Sequence, residues 1–171
     1  TATATTNASG IATLSGVAAN GFAGSYVVTA TAAGQSVSFS LTNQAGAQAP
    51  VSVTSSSAQI AYQGTTTLTA SGGSGGGAYS FAFDSTDATA ATYCQLQAPT
   101  SNTITVRALQ AGGSCKVIAS KAADANYLAQ PSTPVTITTV KAAQTGLSVT
   151  PQPASIAVGG SVALAVNNTL P

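Results

Sequence analysis

Along much of the chain apolar residues alternate one for one with hydroxyl-bearing ones. Val37, Phe39 and Leu41 stand between Ser36, Ser38, Ser40 and Thr42, the period of two expected of a strand with one dry face and one wet face. The same beat predicts strands through Thr66, Leu68 and Ala70, through Ile104 and Val106, and through Val117 and Ala119. It continues through Val135 and Ile137 and through Val162, Leu164 and Val166. Turn formers at Asn20-Gly21, Gly64, Gly112-Gly113, Pro131 and Gly159-Gly160 punctuate these runs. β-Branched residues and glycine interrupt every stretch long enough for a helix. Short strands at this spacing predict an all-β chain folded as two-sheet Greek-key sandwiches.

The pattern is also written twice. VSVTSSSAQIAYQGTTTLTAS at 51–71 aligns without a gap with LSVTPQPASIAVGGSVALAVN at 147–167, an offset of 96 residues. Ser52, Val53, Thr54, Ala58, Ile60, Ala61, Gly64 and Leu68 recur as Ser148, Val149, Thr150, Ala154, Ile156, Ala157, Gly160 and Leu164. A second match joins GSYVVTATAA at 24–33 to GSCKVIASKA at 113–122, offset 89, and FSLT at 39–42 to VTIT at 135–138, offset 96. About seven extra residues therefore enter the later copy, around Ala123-Asp124-Ala125-Asn126-Tyr127. A unit near a hundred residues has the length of a small domain, too long for a solenoid repeat. The expected organisation is the back half of one domain at 1–44, a complete domain at 45–141 and the front half of a third at 142–171, with both ends falling inside a domain and any export leader outside these residues.

Composition then removes function classes. Charged residues make up 4% of the chain, against roughly 25% in an average soluble protein, so the wet faces must be solvated by the hydroxyls and amides of Ser, Thr, Asn and Gln. Four cations scattered at Arg107, Lys116, Lys121 and Lys141 cannot form the clustered positive groove that nucleic acid requires. No uninterrupted apolar run approaches about 20 residues, so no helical membrane span is expected. The chain has no His, and its three acids are all Asp: Asp84, Asp87 and Asp124. A Ser/His/Asp triad is thereby impossible, and no catalytic residue and no cofactor are expected.

Particular segments carry the closest likeness to known modules. Asn7-Ala8-Ser9-Gly10-Ile11-Ala12-Thr13 followed by Ala23-Gly24-Ser25-Tyr26-Val27-Val28-Thr29-Ala30 resembles the closing strands of bacterial Ig-like domains of the invasin and intimin type. Cys94, then Cys115-Lys116-Val117-Ile118-Ala119 and Ala123-Asp124-Ala125-Asn126-Tyr127, are similar to the Ig-like repeats of large bacterial surface proteins, where such an Asp-Ala-Asn-Tyr stretch precedes the last strand. The resemblance spans essentially the whole chain. It implies tandem Ig-like sandwiches, one complete and two partial, in a stalk, adhesin or secreted filament at the bacterial surface, with modules that usually carry no catalytic residues. The antibody-type core Trp is missing, and Gly113 stands two before Cys115 where a tyrosine corner needs Tyr.

Four local features have both a chemical and a plain reading. Cys94 and Cys115, in a charge-poor chain of this type, read as one disulfide closing a small strand-turn-strand unit, with two reduced core thiols as the alternative. Asp84 and Asp87, just after the strand carrying Phe81 and Phe83, could offer oxygens to calcium, or cap their own turn. The Gly-Gly-Ser-Gly-Gly-Gly run at 72–77 lacks the Lys-Ser/Thr of a phosphate loop and reads as a flexible connection at one tip. Lys116, Lys121 and Lys141, with Asn102 and Asn126 as acceptors and Asp84 as acid, have the residue types of an isopeptide cross-link, but no spacing selects a pair. Two function classes follow. The first is a structural spacer or fibre subunit whose partners are neighbouring copies or neighbouring Ig-like domains, including head-to-tail strand complementation; the second is an adhesin module binding a host receptor or glycan through its loops. Aromatics form only 5% of the chain, which leaves few for sugar stacking and favours the first.

Overall fold

The structure, a computed structural model, describes residues 1–150 and 155–169. In chain order its elements are β1 (Gly24–Ala32), β2 (Gln35–Asn43), β3 (Val51–Ser55), β4 (Gln59–Ala61), β5 (Thr65–Gly72) and β6 (Tyr79–Phe83). A single turn of helix, α1 (Ala90–Tyr93), leads into β7 (Cys94–Leu96), β8 (Thr103–Ala108), β9 (Gly113–Lys121), β10 (Gln130–Pro131) and β11 (Val135–Val140). β12 (Thr145–Thr150) and β13 (Ala165–Thr169) follow. The chain is all-β.

Elements β3 to β11 build a β-sandwich. One sheet runs β3-β5-β8-β7, antiparallel throughout. In the other, β9 is central: β6 pairs along one side, β10 and β11 along the other, and β4 closes the far edge parallel to β11. The alternation of sequence places the dry residues between the sheets. Thr66, Leu68 and Ala70 of β5 and Ile104, Val106 and Ala108 of β8 are buried from one side, and Cys115, Val117, Ala119 and Ile137 from the other. Phe81, Phe83, Tyr93 and Leu96 pack around this core. Burying Leu68, Val106, Val117 and Ile137 contributes about 1.5–3 kcal/mol each. The two most buried hydroxyls bond backbone: Thr66 takes Ser57 N–H and donates to Ser57 O, both at 3.0 Å, and Thr139 does the same with Gly113 at 3.2 Å.

On either side stands a separate hairpin, β1–β2 and β12–β13, and their pairing follows the sequence repeat. Ser52, Val53 and Thr54 face Ser71, Ala70 and Thr69; Ser148, Val149 and Thr150, each 96 residues on, face Asn167, Val166 and Ala165. The turn recurs too, since Gly64 N–H donates to Ala61 O and Gly160 N–H to Ala157 O, both at 2.8 Å. In the other hairpin Tyr26 faces Leu41 and Val28 faces Phe39, as Cys115 faces Ile137 and Val117 faces Val135. Repeated sequence thus specifies repeated register. Ala154 and its neighbours at 151–153 lie outside the described residues.

The outer hairpins depart from expectation in two places. Asn7 to Thr13 forms no strand: Asn7 Oδ1 accepts the N–H groups of Ser9 at 2.9 Å and Ile11 at 3.0 Å, closing a turn under an isolated Thr6–Ala12 bridge. Val162 and Leu164 precede β13 instead of joining it. Their counterparts Thr66 and Leu68 are held by β8, and among the described residues no such neighbour flanks β13.

Candidate functional site

The chemistry-bearing residues gather in the sandwich at three places. The first is the disulfide. Cys94 opens β7 at the edge of one sheet and Cys115 sits on β9 in the other; the bond joins them across a Cα–Cα distance of 6.1 Å, with both residues fully buried. The expected disulfide is present with the one strand β8 between its ends, and the fold makes it a staple between the two sheets. The intervening β8 belongs to the sheet of Cys94, and the chain must cross to the opposite layer before Cys115. Closing a loop with a sequence separation of 21 is worth roughly 3 kcal/mol by the chain-entropy model.

The second place is the turn after β6. Asp84 Oδ1 accepts Thr86 N–H at 3.0 Å. Asp87 Oδ1 accepts Thr89 N–H at 3.2 Å and Thr89 Oγ1–H at 3.0 Å, while Oδ2 accepts Lys116 N–H at 2.9 Å. Both carboxylates thus bond the turn itself, and Asp87 also anchors it to β9 beside the disulfide. Burial works to raise the Asp87 pKa, but the Thr89 hydroxyl, the Lys116 and Thr89 N–H groups and the Lys116 charge together hold it below the usual carboxylate value. No group of three or more metal-ligating side chains occurs among the described residues.

At the third place the glycine run meets the seven-residue insertion. Asp124 Oδ1 accepts the N–H groups of Asn126 and Tyr127, both at 2.9 Å, and Oδ2 accepts Gly76 N–H at 2.6 Å. Those N–H groups of Asn126 and Gly76 depress its pKa most, with Tyr127 N–H and the Lys121 charge adding to them against burial. Gln48 fills the gap below: its Nε2 donates to Ala122 O at 3.0 Å and Leu128 O at 2.9 Å, and its Oε1 accepts Gly75 N–H at 3.4 Å. A Cβ on Gly75 would strike the Asp124 carboxylate, and one on Gly77 would strike Ala122 O. The run is glycine because another segment lies against it, not because it is a free loop.

This cluster also touches the preceding hairpin. Asn126 Oδ1 accepts Ala23 N–H, immediately before β1, at 2.8 Å, and Asn126 O accepts Gly46 N–H at 2.8 Å. The insertion therefore clasps both the entry to β1 and the segment leading out of β2. Nothing in the sequence marked Asn126 for this, because its partners are backbone groups about eighty and a hundred residues away.

Of the groups with the residue types of an isopeptide bond, Asn102, Asn126 and Lys121 have other partners. Asn102 Nδ2 donates to Ala70 O at 3.0 Å, and Lys121 Nζ lies 4.4 Å from the centre of the Tyr79 ring. Lys116 is exposed on β9, on the face opposite Val117. The aromatics divide: Phe81, Phe83 and Tyr93 pack on the core, whereas Phe22, Phe39 and Tyr62 are exposed. A shallow depression of about 520 Å³ between Tyr62, Ala111 and the 141–144 segment carries one charged group, Lys141. No helix of the described residues is long and apolar enough to cross a membrane. No family model, curated protein or solved structure matches this chain.

Proposed function

We propose that the chain is a non-catalytic structural segment of an extracellular bacterial stalk, adhesin or filament, built from tandem Ig-like modules: one complete sandwich with part of another on each side. The observation that carries this reading is the recurrence of both hairpin registers at the spacing of the sequence repeat. One module repeated in one chain is the construction of a spacer, where length and stiffness are the product. Strand order supports the Ig-like assignment, since a sheet ordered β3-β5-β8-β7 beside one in which β9 lies between β6 and β11 is compatible with the two-sheet layering of that class. An oxidised sheet-to-sheet staple and a surface almost free of charge fit an oxidising, extracellular setting.

Pulling single molecules by their ends tests the proposal. The sandwich is expected to unfold in one cooperative step, and reduction of Cys94–Cys115 is expected to release a further length of roughly 70 Å, the extended span of the 21-residue separation. A chain that yields gradually at low force, or a submicromolar glycan or host-protein ligand mapped to the 72–77 loop, would instead favour a binding module.

A further inference from the structure

Asn20-Gly21 is the one Asn-Gly step in the chain, and it lies exposed in the turn that leads into β1. Asn20 Oδ1 accepts Phe22 N–H at 3.2 Å and an N–H of Asn43 Nδ2 at 2.9 Å. Two donors on a carbonyl oxygen stabilise the charge that develops there when a nucleophile attacks its carbon. The nearest nucleophile is the backbone nitrogen of Gly21. Among the described residues nothing accepts the Gly21 N–H, and a Cβ at Gly21 would meet nothing within 4 Å, so this amide is free to turn toward the side chain. A recess of about 150 Å³, bordered by Asn20, Asn43, Tyr26 and Val17, has room for water.

The exposure of this turn belongs to the module. At the 89-residue offset Asn20-Gly21 corresponds to Leu109-Gln110, in the turn between β8 and β9 of the complete sandwich, where Gln110 is exposed too. The other asparagines lack the combination. Asn7 Oδ1 also takes two N–H groups, but Ala8 follows it, and a Cβ on the attacking residue crowds the ring that must form. Asn102 precedes β-branched Thr103, and its Nδ2 is held by Ala70 O. Asn126 precedes Tyr127, whose N–H is bonded to Asp124.

We propose that Asn20 is a site of spontaneous deamidation, promoted by Asn43 as a positioning residue. Gly21 N bonds to Asn20 Cγ, the Cγ–Nδ2 bond breaks, and Nδ2 leaves as ammonia with the proton that Gly21 N gives up. The product is a cyclic imide. Water then opens the ring: attack at Cγ leaves aspartate, and attack at the main-chain carbonyl leaves isoaspartate, with the chain running through the side chain. One water is consumed and one ammonia released, with no oxidant or reductant. Either product puts a negative side chain into residues 1–83, which otherwise have no charged one. Isoaspartate also lengthens the main chain just before Ala23, whose N–H Asn126 Oδ1 holds at 2.8 Å. The modification therefore slackens the clasp between the first hairpin and the sandwich as the protein ages.

The test incubates the full chain in mildly alkaline buffer, digests it with pepsin at acid pH and reads the peptides by mass spectrometry, with isoaspartate labelled by an isoaspartyl methyltransferase. The peptide holding Asn20 is expected to convert from amide to acid roughly tenfold faster than those holding Asn7, Asn102 or Asn126, because only its successor lacks a Cβ. Gly21→Val, for which the turn has space, should bring it down to their rate. Asn43→Ala removes one donor but keeps the Asn-Gly step; it should slow conversion severalfold in the folded chain and leave it unchanged in urea. The Ala23 amide should exchange faster in aged wild-type protein than in fresh protein, and equally in fresh and aged Gly21→Val. An Asn20 rate no higher than that of Asn102, or a folded-state rate unmoved by Asn43→Ala, would overturn the proposal.

Discussion

Asp124 shows how much one carboxylate can organise in a chain with so few charges. It holds the insertion in shape through Asn126 and Tyr127 and ties it to the glycine run through Gly76. Asp124→Ala is expected to free those three amides, seen as a loss of hydrogen-exchange protection at Gly76 and Tyr127 while β9 stays protected. The pKa of Asp124 is lowered in the folded chain, so its contribution is complete above the ordinary carboxylate range and is lost as pH falls through the depressed folded value. The Gly76 amide shift should therefore hold constant from neutral pH and move only below that range. Asp87, also lowered, should behave alike at Lys116 N–H. The core is sensitive in another way: Ile137→Ala is expected to cost about 2–5 kcal/mol in urea denaturation, through lost burial and the cavity left between the sheets.

Among the elements, the sheet-to-sheet disulfide and the β1–β2 turn make contrasting demands. Replacing Cys94 and Cys115 with Ala together should cost roughly 3 kcal/mol from loop entropy alone, read as a fall in the denaturation midpoint. The matching position in the first hairpin is Tyr26, facing Leu41 just as Cys115 faces Ile137, so the staple belongs to one module and not to the fold at large. The β1–β2 turn is Ala33-Gly34, with φ of 49° and 77°, the two left-handed residues of a tight hairpin. An L-residue with a Cβ is strained there. Ala33→Asn should stabilise this hairpin by about 0.5–1 kcal/mol, checked by amide exchange at Val28 and Phe39. Sequence pattern did not single out this turn, because alanine is no turn signal. The hydroxyl pairs Ser25–Thr42, Thr29–Ser38 and Thr31–Ser36, at 2.7–3.1 Å across the wet face, do the work that ion pairs do on a charge-rich sheet.

For the molecule as a whole, the distribution of charge decides how the surface is hydrated: net charge is +1 and residues 1–83 and 142–171 carry no charged side chain, so hydroxyls and amides hold water there. The Asn126 clasp predicts a stiff connection between the first hairpin and the sandwich. Asn126→Ala should broaden the distribution of distances between spin labels placed on β1 and β9, with the midpoint of unfolding nearly unchanged.

By itself the sequence determined the class of structure and its repetition. Alternation along Thr66-Leu68-Ala70 or Val117-Ala119 states which face is dry, because the pleat has a period of two, and a 96-residue offset carries a register with it because register follows that alternation. Asp84 and Asp87 were legible as turn residues for the same local reason. Tertiary structure alone decided what depends on distant partners. It made the Cys94–Cys115 bond a staple between sheets, it packed the glycine run against Asp124, and it directed Asn126 to Ala23. It also left 161–164 unpaired despite an alternation as regular as that of β5. A strand needs a neighbour to satisfy its N–H and C=O groups, and no local pattern says whether the neighbour is present.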